Sequence, residues 1–170
     1  ILSKKKSLNP MDYFYINKLS FKNSIVSSII TYYESNKIWG NGFYDMKWVN
    51  FFRSYDKNIE VSVAMKINPK VTIVPYLSGC SMFFHKDRIN EHGLMNEDYF
   101  IYFDDLSFSR NTDNYVIQEP LVRHKVSSTT GNKGKSTFKP RQAFWYGRHG
   151  IMYYFGEKKI NNFERLVYLL

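Results

Sequence analysis

The chain's most informative stretch is Gly93-Leu94-Met95-Asn96-Glu97-Asp98-Tyr99-Phe100-Ile101-Tyr102-Phe103-Asp104-Asp105-Leu106-Ser107-Phe108. A glycine and polar turn residues lead into an aromatic run, and the run ends on two adjacent carboxylates. On a strand, neighbouring side chains point to opposite faces. At a loop-to-helix junction, two successive side chains can both reach one cavity. Residues 104–109 read as a helix start, because acids in a first turn are favoured by the helix dipole. One carboxylate can then orient the turn while the other works as a base. Low-dielectric aromatic walls would raise the pKa of that base toward a useful value. The plain structural alternative makes Asp104 an N-cap and Asp105 an ordinary first-turn acid. Periodicity alone favours the plain alternative.

Working outward, residues 81–85 read as a short strand and 86–91 as one or two helical turns stopped by Gly93. Residues 60–65 and 71–76 read as strands around the Asn68-Pro69 turn. Residues 24–33, rich in Ile, Val, Ser and Thr, read as a further strand, and Gly40-Asn41-Gly42 punctuates the loop after it. Residues 50–58 read as irregular. Downstream, 115–118 and 121–125 look extended and split by Pro120. The Ser-, Thr-, Gly- and Lys-rich stretch 127–139 reads as a mobile loop. Residues 141–155 read as a long, mostly buried helix weakened by Gly147 and Gly150, and 162–170 as a second helix. Strands mixed with helices indicate α/β or α+β.

The whole chain has 170 residues, enough to bury one core. Its 24 Lys plus Arg against 15 Asp plus Glu give a net charge of +9. That balance admits nucleic acid, an anionic membrane surface or a phosphate-bearing small molecule as partner. The basic clusters are short: Lys4 to Lys6; Lys133, Lys135, Lys139 and Arg141; Lys158 and Lys159. No apolar run approaches the roughly 20 residues a bilayer span needs. One cysteine, Cys80, excludes an intramolecular disulfide and a cysteine-built zinc site. The opening Ile1-Leu2-Ser3-Lys4-Lys5-Lys6 places its charges after its apolar residues, unlike a secretory leader. The start on Ile and the end on Leu166-Val167-Tyr168-Leu169-Leu170 are read as the cut ends of a piece of a longer protein.

Three ordered pieces resemble the C-terminal half of inverting GT-A glycosyltransferases of family 2, of the rhamnosyl- and galactofuranosyl-transferase type. The first, Ser78-Gly79-Cys80-Ser81-Met82-Phe83-Phe84-His85-Lys86, is similar to the family's Gly-small-x-Met strand. The second is Gly93 through Asp105. The third is Val122-Arg123-His124, then Ser127 and Ser128, then Tyr146-Gly147-Arg148-His149. Upstream, Ile29 to Tyr33 and Asn36 to Gly42 are similar to the segment after the family's donor site. The resemblance implies an α/β, GT-A-type mixed sheet flanked by helices, with the N-terminal nucleotide-binding half absent. It divides the chain into a lead-in from that half (1–24), a catalytic and acceptor-side segment (25–126), a basic loop (127–140) and a C-terminal helical segment (141–170).

By resemblance, Asp105 matches the catalytic base and Asp104 its supporting acidic neighbour. His124 matches a histidine that completes a divalent cation site, for Mn or Mg. Gly79, Tyr102, Trp145 and Arg148 are the expected donor- or acceptor-binding residues. The implied activity moves a sugar from a nucleotide-diphosphate-sugar to a glycan or lipid-linked acceptor in cell-surface polysaccharide synthesis. It implies a cytoplasmic location, with peripheral contact on the inner membrane face as an option. The isolated piece is expected to be inactive. The departures are specific. Ser107 stands where the family has a third acid, Arg110 comes one place early, His149 replaces an Asn, and no Asp-x-Asp occurs. Two alternatives remain at this point: a basic nucleic-acid-binding module, and an inactive structural piece of a glycan-assembly complex.

Of the other candidates, Cys80 is expected to be buried and inert, and His85 a surface residue. His92 is read as a helix-end residue, and His149 as either core or ligand-facing. Trp39 is assigned to packing. Gly79 is expected to allow close backbone approach, Tyr102 and Phe103 to wall the cavity, and Glu97 to brace the loop.

Overall fold

The computed structural model describes residues 24–46, 51–125 and 140–157. It is a mixed α/β structure built on one strand, β1 (Ser24–Tyr32), whose residues are buried from Ser24 to Thr31. Small Ser side chains alternate with Ile and Val, so the strand can be covered on both faces without crowding. Antiparallel to it on one side is β2 (Ile38–Gly40). On the other side β7 (Asp113–His124) runs parallel, from Ser24 opposite Asp113 to Tyr32 opposite His124. Parallel neighbours need a long crossover, and the rest of the structure up to residue 112 forms it. The outer strand β5 (Val71–Val74) is antiparallel to β7, and β6 (Phe83–Phe84) pairs with the start of β1. A separate hairpin joins β3 (Phe43–Met46) to β4 (Phe51–Ser54).

Among the described residues, four helices and a π-helical turn accompany the sheet. They are α1 (Val61–Ile67), α2 (Lys86–His92), α3 (Asp104–Ser109), α4 (Pro140–Ile151) and the turn Met152–Glu157. Gly93 ends α2 with φ +79°, a left-handed conformation that glycine adopts at no steric cost. Helix α3 lies between two clusters. Tyr99, Phe103 and Leu106 pack with Tyr153 and Tyr154 of the π-helical turn. Phe108 packs with Ile25, Val74 and Val116 of the sheet and with Leu77 after β5. The helix that carries the two acids is therefore wedged between the sheet and the C-terminal aromatic layer.

Several expectations are corrected. Residues 60–65 were expected as a strand, but Val61–Ile67 is helical. Val61, Val63, Met65 and Ile67 alternate like a strand, yet only Val61 and Ala64 are buried, one helical turn apart against Ile29 and Ile38. Tertiary burial overrides β propensity here. Pro120 does not split an extended segment. It sits inside β7 opposite Ile29, at register shifts where β7 carries extra residues unpaired with β1, so the missing N–H costs the ladder little. Within the stretch expected to be irregular, Phe51–Ser54 is a strand of the hairpin. The long C-terminal helix gives way after Ile151 to π-helical geometry. The expected basic loop 127–139 and helix 162–170 lie outside the described residues.

The loop after β2 is locked by polar contacts. Asn41 donates to Asp56 at 2.8 Å and to Gln118 at 3.1 Å, and Gln118 donates back to Asn41 at 2.9 Å. Asn68 also donates to Asp56 at 2.7 Å. Gly42 has φ +77°, and a Cβ there would fall 2.4 Å from Val74. This network holds Trp39 and Phe43 at the edge of the site.

Candidate active site

Tyr102 and Phe103 both have positive φ, 65° and 66°, in a run where neither is glycine. Aromatic residues enter this region only when the surroundings impose it, at about 1–3 kcal/mol each. Buried Phe103, packed against Tyr146 and Tyr153, supplies that constraint. The reversal turns the chain straight into α3, with Phe103 at its N-cap position and no side-chain cap. Asp104 is thus not the cap. Both Asp104 and Asp105 line one pocket of about 380 Å³, as expected of successive residues at a loop-to-helix junction.

The rest of the lining comes from distant parts of the chain. Trp39 and Phe43 approach from the loop around β2, Phe52 from β4, Leu77 and Ser78 from the segment after β5, and Tyr146 from α4. Tyr102 and Tyr146 meet edge to face with centroids 5.6 Å apart. The pocket is walled by aromatic faces and floored by two carboxylates.

Asp105 is held by backbone donors. Gly79 N–H donates to Oδ2 at 3.0 Å, and Leu106 N–H to Oδ1 at 2.9 Å. Burial pushes its carboxyl from the ordinary 3.8 up to about 6. The two N–H groups pull the other way, and the Asp104 charge adds a smaller upward push. Desolvation wins because the aromatic walls exclude water, while the amides can stabilise only part of the anion. Gly79 plays its part through its N–H. A Cβ there would sit 3.5 Å from that of Asp105, an ordinary contact, so close approach alone does not demand glycine.

His124, at the end of β7, lies beside this floor. Its Nδ1 is 3.7 Å from Cys80 Sγ, and its ring tilts against Trp39 with centroids 4.4 Å apart. Burial pushes its pKa down, which leaves a neutral imidazole near pH 7. Cys80 is exposed, a correction to the expectation of an inert core thiol. Its thiol is pushed up, mainly by burial of the sulfur and also by the Asp105 charge. One imidazole and one thiol are a soft pair, whereas Mn and Mg prefer oxygen ligands. Among the described residues no group of three or more His, Cys, Asp or Glu is placed to hold a metal ion.

Trp145 and Arg148 stand outside the pocket lining. Trp145 packs on Phe100 and on His149, and Arg148 donates to the Asp98 carbonyl at 3.4 Å. His149 is fully buried, with Nδ1 against the Ile101 carbonyl, and belongs to the core. His85 is exposed and caps α2 by accepting from Asp87 N–H at 3.2 Å. Trp39, assigned to packing from sequence, is a wall of the pocket. Tyr146, Phe43, Phe52 and Ser78 were not singled out as pocket-lining, and only the fold reveals them.

Sequence reasoning also missed Glu157. Its carboxylate accepts from Tyr99 at 2.8 Å and from Ser107 at 2.7 Å, and it pairs with Arg110 at 3.8 Å. Arg110 donates as well to the Glu157 carbonyl. Ser107 and the early Arg110, both departures from the family pattern, thus share one partner that clamps α3 to the π-helical turn. Compared with protein-family models, curated proteins and solved structures, the chain matches none of them.

Proposed function

We propose that this chain carries the catalytic-base and acceptor side of an inverting glycosyltransferase. The enzyme would move a sugar from a nucleotide-diphosphate-sugar to a glycan or lipid-linked acceptor in cell-surface polysaccharide synthesis. The observation that carries the reading is Asp105, fixed by two backbone N–H groups on the floor of an aromatic pocket and raised to about 6. A carboxylate of that basicity is ionised at pH 7 and still a stronger base than an exposed aspartate. Aromatic faces suit the C–H faces of sugar rings, and the carboxylates suit their hydroxyls.

In the proposed step an acceptor O–H gives its proton to Asp105 as the oxygen bonds to the anomeric carbon. The bond from that carbon to the phosphate oxygen breaks, and its electron pair leaves with the nucleotide diphosphate. Asp104, on the same floor, adds negative charge beside the base and strengthens it. His124 is the one residue here that the resemblance assigns to a cation, and a bound cation would supply charge to the leaving diphosphate. Inversion follows from the resemblance. Among the described residues no helix is long and apolar enough to cross a membrane. Cytoplasmic residence, with peripheral membrane contact as an option, is part of the proposal.

The test is the pH dependence of transfer. Activity of the protein should rise with an acidic limb near pH 6, because the base must lose its proton first. A limb at the ordinary carboxylate position near 4, or no acidic limb, would contradict the assignment.

A further inference from the structure

The two segments that supply Tyr102 and Tyr146 to the pocket also carry aromatic rings outside it. Tyr102 and Tyr146 form the rim pair. The next pair is Phe100 with Trp145, centroids 5.3 Å apart, from the same two segments. Phe144 extends it, 5.3 Å from Trp145. These rings are not core residues, since Phe100 is 67% and Phe144 61% exposed. The Arg148 guanidinium lies 5.7 Å from the Trp145 ring centroid, at the border of the patch. Exposed aromatic faces with a cationic donor beside them offer a sugar ring both an apolar face to cover and a partner for its hydroxyls. A pocket of about 380 Å³ is at the small end for ligand sites, so an acceptor longer than one or two rings must continue outside it.

We infer that Phe100 and Trp145, with Arg148 at their border, form a glycan-stacking platform that holds an inner sugar residue of the acceptor while its terminal hydroxyl reaches Asp105. The platform thus selects an oligosaccharide over a single sugar. This rests on the transferase reading for the direction of the chain, although the stacking chemistry stands without it. Other occupants of an aromatic patch, a second copy of the chain or a lipid surface, are outcomes of the test.

The probe is a printed array of cell-envelope mono- to hexasaccharides, read with wild-type protein, Phe100→Ser, Trp145→Ala and Asp105→Asn. Wild type should retain at least one oligosaccharide at least tenfold better than the monosaccharide of the same terminal sugar. Each platform variant should lose about tenfold of that binding, corresponding to about 1.4 kcal/mol. Phe100→Ser removes an exposed ring, so it reports on the platform even if Trp145→Ala disturbs the core through His149. No retained glycan, equal retention by Phe100→Ser, or no preference for length overturns the platform. So does a dimer or vesicle binding (anionic lipid, sedimentation) that Phe100→Ser abolishes while glycan binding is absent. Loss of transfer in Asp105→Asn with unaltered binding in Phe100→Ser defeats the platform and leaves the transferase reading. Retained transfer in Asp105→Asn with lost binding in Phe100→Ser does the reverse.

Discussion

Holding Asp105 at about 6 has a thermodynamic consequence that can be measured without knowing any substrate. The unfolded chain ionises this group near 3.8, and the folded chain near about 6. Between those values the folded state binds the proton more tightly. The contribution of Asp105 to stability is therefore fully present only well below pH 3.8 and is lost as pH rises through about 6. At 1.36 kcal/mol per pH unit, the total loss is about 3 kcal/mol, of which about 2.5 kcal/mol falls between pH 4 and pH 8. Asp105→Asn has nearly the same shape and cannot ionise. Its amide oxygen can accept from only one of the two N–H groups of Gly79 and Leu106, a loss of about 1–2 kcal/mol at any pH. The variant should start slightly below wild type at pH 4 and gain on it by about 2.5 kcal/mol by pH 8. Urea unfolding of both proteins at intervals from pH 4 to pH 8 reads this difference directly. A difference constant to within about 0.5 kcal/mol across that range would refute both the raised pKa and its cause, because additive effects of the substitution carry no pH slope.

Three further outcomes are expected. Gly42→Ala should cost about 2–4 kcal/mol in denaturant unfolding, from its positive φ and the clash with Val74, whereas Gly79→Ala should cost well under half of that; similar costs would contradict the geometry. Glu157→Ala should destabilise by about 2–3 kcal/mol, and Glu157→Gln by less, since the amide oxygen still accepts from Tyr99 or Ser107; an unchanged unfolding midpoint for Glu157→Ala would remove the clamp. Cys80 should alkylate slowly with iodoacetamide at pH 7 despite its exposure, and faster in Asp105→Asn, because the nearby carboxylate is one cause that holds the thiol up; equal rates in both proteins would separate the two groups.

Much of the scaffold was legible because local signals and burial agreed. The richness of residues 24–33 in Ile, Val, Ser and Thr marked β1, Gly93 marked the end of α2, and the two acids marked the start of α3. Where the two disagreed, local reading failed. Val61 to Ile67 alternates like a strand but buries one helical face. Pro120 looks like a break, yet lies at an irregularity that β7 tolerates. At the site, Asp105, Asp104 and Tyr102 line one pocket, and the Gly79 N–H reaches Asp105. Trp39 and Phe52 join them only through the crossover between β1 and β7, and Tyr146 only through α4 beyond it, which no local spacing encodes. Trp145 and Arg148, adjacent in sequence to Tyr146, fall outside the pocket because neighbouring helical positions face different ways. Glu157 could not be anticipated, since its importance lies in three partners spread over residues 99 to 110.

The most direct test of the central proposal is sugar transfer by Asp105→Asn. It should be measured with the protein as expressed from its complete gene, across a panel of nucleotide-diphosphate-sugars and cell-envelope glycan acceptors. Removing a positioned general base costs about 10²- to 10⁴-fold. The account predicts a loss of that size at pH 7.5, with the variant folded and still binding glycan. Transfer at the wild-type rate by a folded Asp105→Asn would contradict it.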